Sequence, residues 1–294
     1  MQMDHILNGL VDIHLHTDPS LMERYIDVQD MAIRAHEFGY KAILYKEHFV
    51  CTAHVASLVQ KHCFPKGDIR VFGAVALNAS VGGINAYAAD AAIKLGARVV
   101  WLPTTSSKHH QEHMRREMEQ RAAGKDIKNP FDAVKKMKEL ELSLIDDNGV
   151  ILPEVVEVME VVKDAPGVSL CSGHGAPAEV DALVDKAVEM GMADKVMIDH
   201  PTMIMGASIE DCARWAAKGA IIEAVTTNGP ETILKIMNAA GTDNMLLASD
   251  LGQKGNGDPV AGMDRCLKGL SDLGVDDETL RKITSYNPSK LLLI

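Results

Sequence analysis

The sequence predicts an α/β fold, a (β/α)8 TIM barrel, from three observations. Short β-branched apolar runs alternate with amphipathic stretches along nearly the whole chain, the runs number eight, and several of the stretches between them end in glycine just before the next run. Strands are read at "GLVDIHLH" (9–16), "KAILYKEH" (41–48), "RVFGAVALN" (70–78), "ARVVWLPT" (97–104), "GVSLCSGH" (167–174), "KVMIDH" (195–200), "AIIEAVT" (220–226) and "NMLLASD" (244–250). Their near-continuous apolar character marks a parallel sheet buried on both faces. Such a barrel needs about 250 residues, and 294 are present. An open doubly wound sheet is the alternative, but no GxGxxG turn follows the first strand. Residues 1–294 read as a single domain.

The intervening helices follow as "VQDMAIRAHEFG", "INAYAADAAIKLG", "AEVDALVDKAVEMG" and "IEDCARWAAKG". One interval breaks the rhythm. Residues 105–152 separate strands four and five and exceed an ordinary loop. Within them "SSKHHQEHMRREMEQRAAGKD" predicts a polar helix capped by Ser106 or Ser107. "ELSLIDDNGVIL" predicts a small hairpin turning at Asp147, Asn148 and Gly149. Loops after the strands of a barrel lie on its active-site face, so the insertion reads as a lid or specificity element, with an oligomer contact as the other use. His109 and His113 stand one helical turn apart and offer a metal pair, although a solvated helix is the preferred account.

Bulk properties exclude several classes of function. A net charge of −11 opposes nucleic acid or an anionic membrane as partner. Five cysteines (Cys51, Cys63, Cys171, Cys212, Cys266) form no CxxC pair and read as reduced thiols of a cytoplasmic protein. No secretory leader and no membrane-spanning run is evident. A small-molecule substrate is the expected partner.

The chemistry lies where the strands end. In an extended strand His14 and His16 share one face, with side-chain origins about 7 Å apart; the dipeptide spacing alone fits a metal pair or two hydrogen-bonded core histidines. The remaining strand ends decide. Strand two ends at His48, five at His174, six at His200 and eight at Asp250, and all such ends meet at the C-terminal mouth of the barrel. Imidazole and carboxylate suit Zn²⁺, and also Mn²⁺, Fe²⁺ or Ni²⁺. Glycine-flanked helix starts, "SVGGIN" (80–85) and "TTNGPE" (226–231), sit at the same rim. They offer N–H groups to a substrate anion, or are simply capped helices. Glu223 reads as a partner to a histidine or, preferably, as half of a rim salt bridge.

This pattern resembles the amidohydrolase superfamily of metal-dependent hydrolases: HxH at strand one, histidines after strands five and six, aspartate after strand eight. The closing "SYNPSKLLLI" is similar to the "NPAKLLGL" segment of its members. The resemblance implies His14, His16, His174, His200 and Asp250 as metal-site residues for one or two divalent ions, with Asp250 also taking a proton from the attacking water. It implies hydrolysis of an amide, cyclic amide or imide, or lactone. The chain departs from the pattern at strand four, where "VVWLPTTSS" carries neither the lysine nor the glutamate of many two-metal members. Strand two instead offers Lys46 and His48 on one face and Glu47 on the other. Lys46 reads as a carboxylated bridge, a cation for substrate, a holder of a carboxylate ligand, or a lysine snorkelling at the rim. His48 reads as a ligand or substrate contact. "DIHLHTDPS" followed by "YKEH" also resembles the polymerase-and-histidinol-phosphatase phosphoesterases, whose barrel has seven strands, but their closing "SDxH" is absent. A barrel that binds metal or metabolite without catalysis is the non-enzyme alternative.

Overall fold

The computed structural model describes residues 4–121 and 141–294. Its eight strands are β1 (Val11–Leu15), β2 (Ala42–Tyr45), β3 (Arg70–Ala76), β4 (Ala97–Trp101), β5 (Ser169–Cys171), β6 (Val196–Ile198), β7 (Ile221–Val225) and β8 (Met245–Ala248). They form one parallel sheet in sequential order, and each lies inside its predicted run. The helices are α1 (Asp4–Leu7), α2 (Val28–Glu37), α3 (Ala53–Cys63), α4 (Ala86–Lys94), α5 (Lys108–Arg121), α6 (Pro153–Lys163), α7 (Pro177–Glu189), α8 (Ile209–Ala217), α9 (Pro230–Ala240), α10 (Pro259–Asp272), α11 (Asp277–Arg281) and α12 (Asn287–Leu292). Caps fix several starts where the sequence supplies them, such as Ser208 Oγ accepting from Asp211 N at the start of α8.

Two apolar layers follow from strand alternation. Ile43, Val75, Val100 and Leu170 face outward into the core shared with the helices. Val11, Ile13, Leu44, Phe72, Val99 and Met197 belong to a second cluster that fills the barrel. Burying both faces of every strand removes any free apolar face and directs the polar ends to the mouth.

The sheet closes between β1 and β8. Asp250 N donates to the His14 carbonyl at 2.8 Å and His16 N to the Leu251 carbonyl at 2.8 Å. β1 also carries a bulge: Asp12 pairs with Ile43 and Leu15 with Tyr45, so three steps along β1 match two along β2. Strict alternation would turn His14 away from the interior that Val11 and Ile13 line. The extra residue reverses the phase, and His14 and His16 both face inward. Asp12 holds this kink through Oδ1, which accepts from His14 N at 3.2 Å and Ser249 N at 3.0 Å. Burial pushes its carboxyl up to about 6 despite those donors.

The insertion after β4 contains the expected hairpin. Ile145 and Ile151 form an antiparallel bridge around a turn in which Gly149 N donates to the Asp146 carbonyl at 3.0 Å. The later part of the predicted polar helix falls on residues 122–140, outside the described residues. The strand ends differ from the reading above: His16, His48, His174, His200 and Asp250 all lie one to three residues past their strands. The ladders stop where the mouth widens, and the site residues begin the loops. All five cysteines are free. Among the described residues, no helix is long and apolar enough to cross a membrane.

Asp12→Ala leaves two buried backbone N–H groups without an acceptor, each costing about 1–3 kcal/mol. The expected outcome in urea unfolding is a lower midpoint at unchanged slope, equivalent to about 3 kcal/mol. Asp12→Asn, which keeps an oxygen acceptor, should lose less.

Candidate metal centre

Local backbone geometry brings the site residues together. The β1 bulge aims His14 and His16 inward. His200 has φ +24° and Asp250 φ +47°, in or near the left-handed region that costs L residues energy and that clusters at functional sites. In β6, alternation from Met197 sends Asp199 inward and would send His200 out; the positive φ turns His200 inward as well. Gly173, ahead of His174, and Gly252, after Asp250, pass other backbone too closely for a side chain. A Cβ would lie 2.4 Å from the carbonyl oxygens of Leu102 and Pro103 at the first and 1.8 Å from that of His16 at the second.

The side chains converge on the barrel axis. Asp250 Oδ1 lies 3.3 Å from His14 Nε2 and 3.1 Å from His16 Nε2, and its Oδ2 lies 3.8 Å from His200 Nε2. Asp199 Oδ1 lies 3.3 Å from His200 Nε2 and 3.5 Å from His14 Nδ1; its Oδ2 lies 3.6 Å from His174 Nε2. Glu223 Oε1 is 3.0 Å from His14 Nδ1. Lys46 Nζ is 2.9 Å from His14 Nε2 and 3.7 Å from Asp199 Oδ2, and stands 4.7 Å above the Trp101 ring.

These residues fit a divalent cation. Both oxygens of Asp199, Oε2 of Glu223 and Nε2 of His174 are buried and receive no hydrogen bond from an N–H or hydroxyl group. The two carboxyl groups meet each other, an arrangement that is costly when both are ionised and that a cation relieves. Three groups have ligand atoms within 4.8 Å of one another: His14, His16 and Asp250; His174, Asp199 and His200; and His14, Asp199 and Glu223. Burial, then Lys46, holds His14 well below its ordinary value; burial and the neighbouring imidazoles do the same to His174. Both are thus neutral imidazoles, the form that ligates metal. Burial alone would raise Asp250, but His14, His16 and His200 outweigh it and hold the carboxyl well below its ordinary value. Burial also opposes ionisation of Asp199, yet His200, Lys46 and His14 bring it down to about 2. Glu223 is pushed well up by burial and by the Asp199 carboxylate.

The structure thus gathers His14, His16, His174, His200, Asp250 and Lys46. His48 stands beside them: its ring stacks on His16 at 5.2 Å and its Nδ1 lies 2.9 Å from Thr104 Oγ1, but it joins none of the three groups. The rim reading of Lys46 is corrected, since its side chain is 1% exposed and pairs with Asp199 inside the barrel. The salt-bridge reading of Glu223 is corrected too: it is fully buried against His14. The first glycine-flanked loop is a capped helix start, with Asn85 Oδ1 accepting from Ala88 N. In the second, Asn228 Oδ1 accepts from Val225 N at the end of β7, and α9 begins after Gly229 without a side-chain cap. His109 binds the carbonyls of Ile204 and Met205; neither it nor His113 joins a metal group among the described residues.

Three residues were missed. Asp199 precedes the last residue of its predicted run, His200, although alternation from Met197 marks it as inward. Trp101 takes the inward place on β4. His110, between the two histidines singled out in the insertion, is buried, brought down to about 3 chiefly by burial, and lies Nδ1 to Nδ1 2.7 Å from His174.

A model of a family of unknown function (DUF6282) matches residues 9–223. The chain belongs to that family. No curated protein matches this DUF6282 chain. Its fold is similar to that of an amidohydrolase from Pseudomonas aeruginosa, with a TM-score of 0.66, 9% identity and 100% of both chains covered. It is also similar to a probable 2-pyrone-4,6-dicarboxylic acid hydrolase from Acinetobacter baumannii, with a TM-score of 0.57, 15% identity, and 97% of this chain and 100% of that one covered. A 2,6-dihydroxybenzoate decarboxylase from Rhizobium gives a TM-score of 0.53 and 11% identity over 97% of this chain and 99% of that one. The shared feature is the eight-stranded parallel barrel, and a seven-stranded barrel is not what the DUF6282 chain forms.

If a cation relieves the buried carboxylates, Zn²⁺ at about 100 times its dissociation constant should stabilise the parent by about 2.7 kcal/mol. Scanning calorimetry with Zn²⁺ and with a chelator measures this. Asp199→Asn should shrink the difference between the two conditions, because the variant has less buried charge to compensate.

Proposed function

We propose that this DUF6282 chain is a metal-dependent hydrolase that opens an amide, a cyclic amide or imide, or a lactone of a small molecule. The observation that carries the reading is the placement of Asp250. Its side chain is 13% exposed, whereas those of Asp199 and Glu223 are at 0%, so Asp250 is the carboxylate of the cluster that faces the mouth. A divalent ion bound by the histidines and carboxylates supplies Lewis acidity and lowers the pKa of water at the site. Zinc suits this donor set, and manganese, iron or nickel accept it.

The chain's own residues do the rest. Asp250, its carboxyl held well below the ordinary value, is ionised at neutral pH and placed to accept a proton from water and to return it to the leaving group, general base and then general acid. Glu223 holds His14 at Nδ1 and so directs Nε2 to the axis. Lys46 balances Asp199 beneath the reacting centre. His48 and the rim, including residues 105–152, select the substrate.

The test is steady-state kinetics against cyclic amides, imides and lactones, with aryl carboxylic acids and a phosphodiester as controls. Chelator-sensitive ring opening supports the proposal. Release of carbon dioxide from an aryl acid, or cleavage of the phosphodiester alone, overturns it. Asp250→Asn keeps an oxygen for the metal but cannot hold a proton. It should retain metal and lose about 10²–10⁴ in kcat, with far less change in KM.

A further inference from the structure

We infer that His110 is a positioning residue for His174, and that the first turn of α5 fixes the two loops that deliver His174 and His200. The inference rests on the metal-centre reading above and gives the insertion after β4 a part in it. The two imidazoles lie edge to edge in nearly one plane, with centroids 4.8 Å apart and an interplanar angle of 14°, and their Nδ1 atoms are 2.7 Å apart. Two ring nitrogens at that separation share one hydrogen. With Nε2 of His174 on a cation, the shared hydrogen lies on its Nδ1, and His110 accepts it. His174 is then held in the one tautomer whose Nε2 faces Asp199 and the axis.

Neighbouring bonds hold the same turn. Ser107 Oγ donates to the His174 carbonyl at 2.9 Å, gripping the loop after β5. His109 Nε2 lies 3.2 Å from the Ile204 carbonyl and 3.0 Å from that of Met205, gripping the loop after β6. Three residues, Ser107, His109 and His110, thus tie α5 to both loops. His14, by contrast, has a carboxylate at Nδ1, that of Glu223 from within the barrel. His174 uses an imidazole from outside it. The placement of His174 therefore depends on the start of α5 being docked against the loops after β5 and β6.

The test is competition of Zn²⁺ against a fluorescent chelator for the full chain. His110→Ala should weaken Zn²⁺ by about 10–100-fold, the usual cost of removing a ligand's outer partner. His110→Asn, whose Oδ1 can accept the same hydrogen, should recover most of the loss. In a His174→Ala background the His110→Ala change should alter affinity by less than about threefold, because the partner it acts through is gone. An affinity for His110→Ala within about twofold of the parent, or equal losses in both backgrounds, overturns the inference. A parent that binds no Zn²⁺ overturns the metal-centre reading instead. The hydrogen bond is then judged on the metal-free protein by proton NMR. A protected downfield imidazole N–H, lost in both His110→Ala and His174→Ala, is the expected signal, and its absence from the parent overturns the inference.

Discussion

Asp250 N on the His14 carbonyl and His16 N on the Leu251 carbonyl, both at 2.8 Å, are the bonds that close the barrel. They are also the bonds that set where His14, His16 and Asp250 stand. Closure and ligand placement are therefore one constraint. A sheet can close only if its first and last strands meet in register, and here Asp12, at the bulge of β1, reaches across the seam to Ser249 N just past β8. The first metal group, His14, His16 and Asp250, spans this seam from side to side. It cannot move apart without opening the sheet, so these three side chains are held as firmly as the closure itself.

Charge dominates inside that frame. Asp199, Glu223 and Asp250 offer three carboxylates, and Lys46 is the cation paired with them. Fully ionised, the set carries 3 − 1 = 2 uncompensated negative charges, which one divalent ion neutralises. Without the ion, burial and Asp199 push Glu223 up toward its protonated form, while His200, Lys46 and His14 hold Asp199 down and the histidines hold Asp250 down. Binding of a cation and loss of the Glu223 proton are then linked, because both answer the same buried field.

How much of this could be read from the sequence depended on whether the feature obeyed a local period. The strands did, because each is an apolar run fenced by glycine or polar residues, and the HxH pair did, because i and i+2 share a face whatever the bulge does to its neighbours. The hairpin was legible from Asp147, Asn148 and Gly149. Asp199 and His200 defeated the same rule, since alternation allows one of them inward and the positive φ of His200 delivers both. His110 was obscure for another reason. Its partner lies 64 residues away, and nothing within α5 distinguishes it from His109 and His113 on the same polar helix.

Strand four shows why the family pattern and the structure part company there. The amidohydrolase resemblance leads one to seek a carboxylate or modified lysine on that strand, and β4 offers Trp101. An indole cannot ligate or neutralise a cation, but its face receives Lys46 at 4.7 Å and its ring packs against His14 at 5.3 Å. The carboxylate arrives instead from β6 as Asp199, and the lysine from β2. In a closed barrel, inward residues at one depth all point at the same axis, so the chemistry at the centre is indifferent to which strand supplies a given group. What it does fix is the depth and the sum of charges. A search keyed to strand number passes over Asp199, whereas one that asks which inward residue next to the mouth is charged inside an apolar run finds Lys46, Asp199 and Glu223 together.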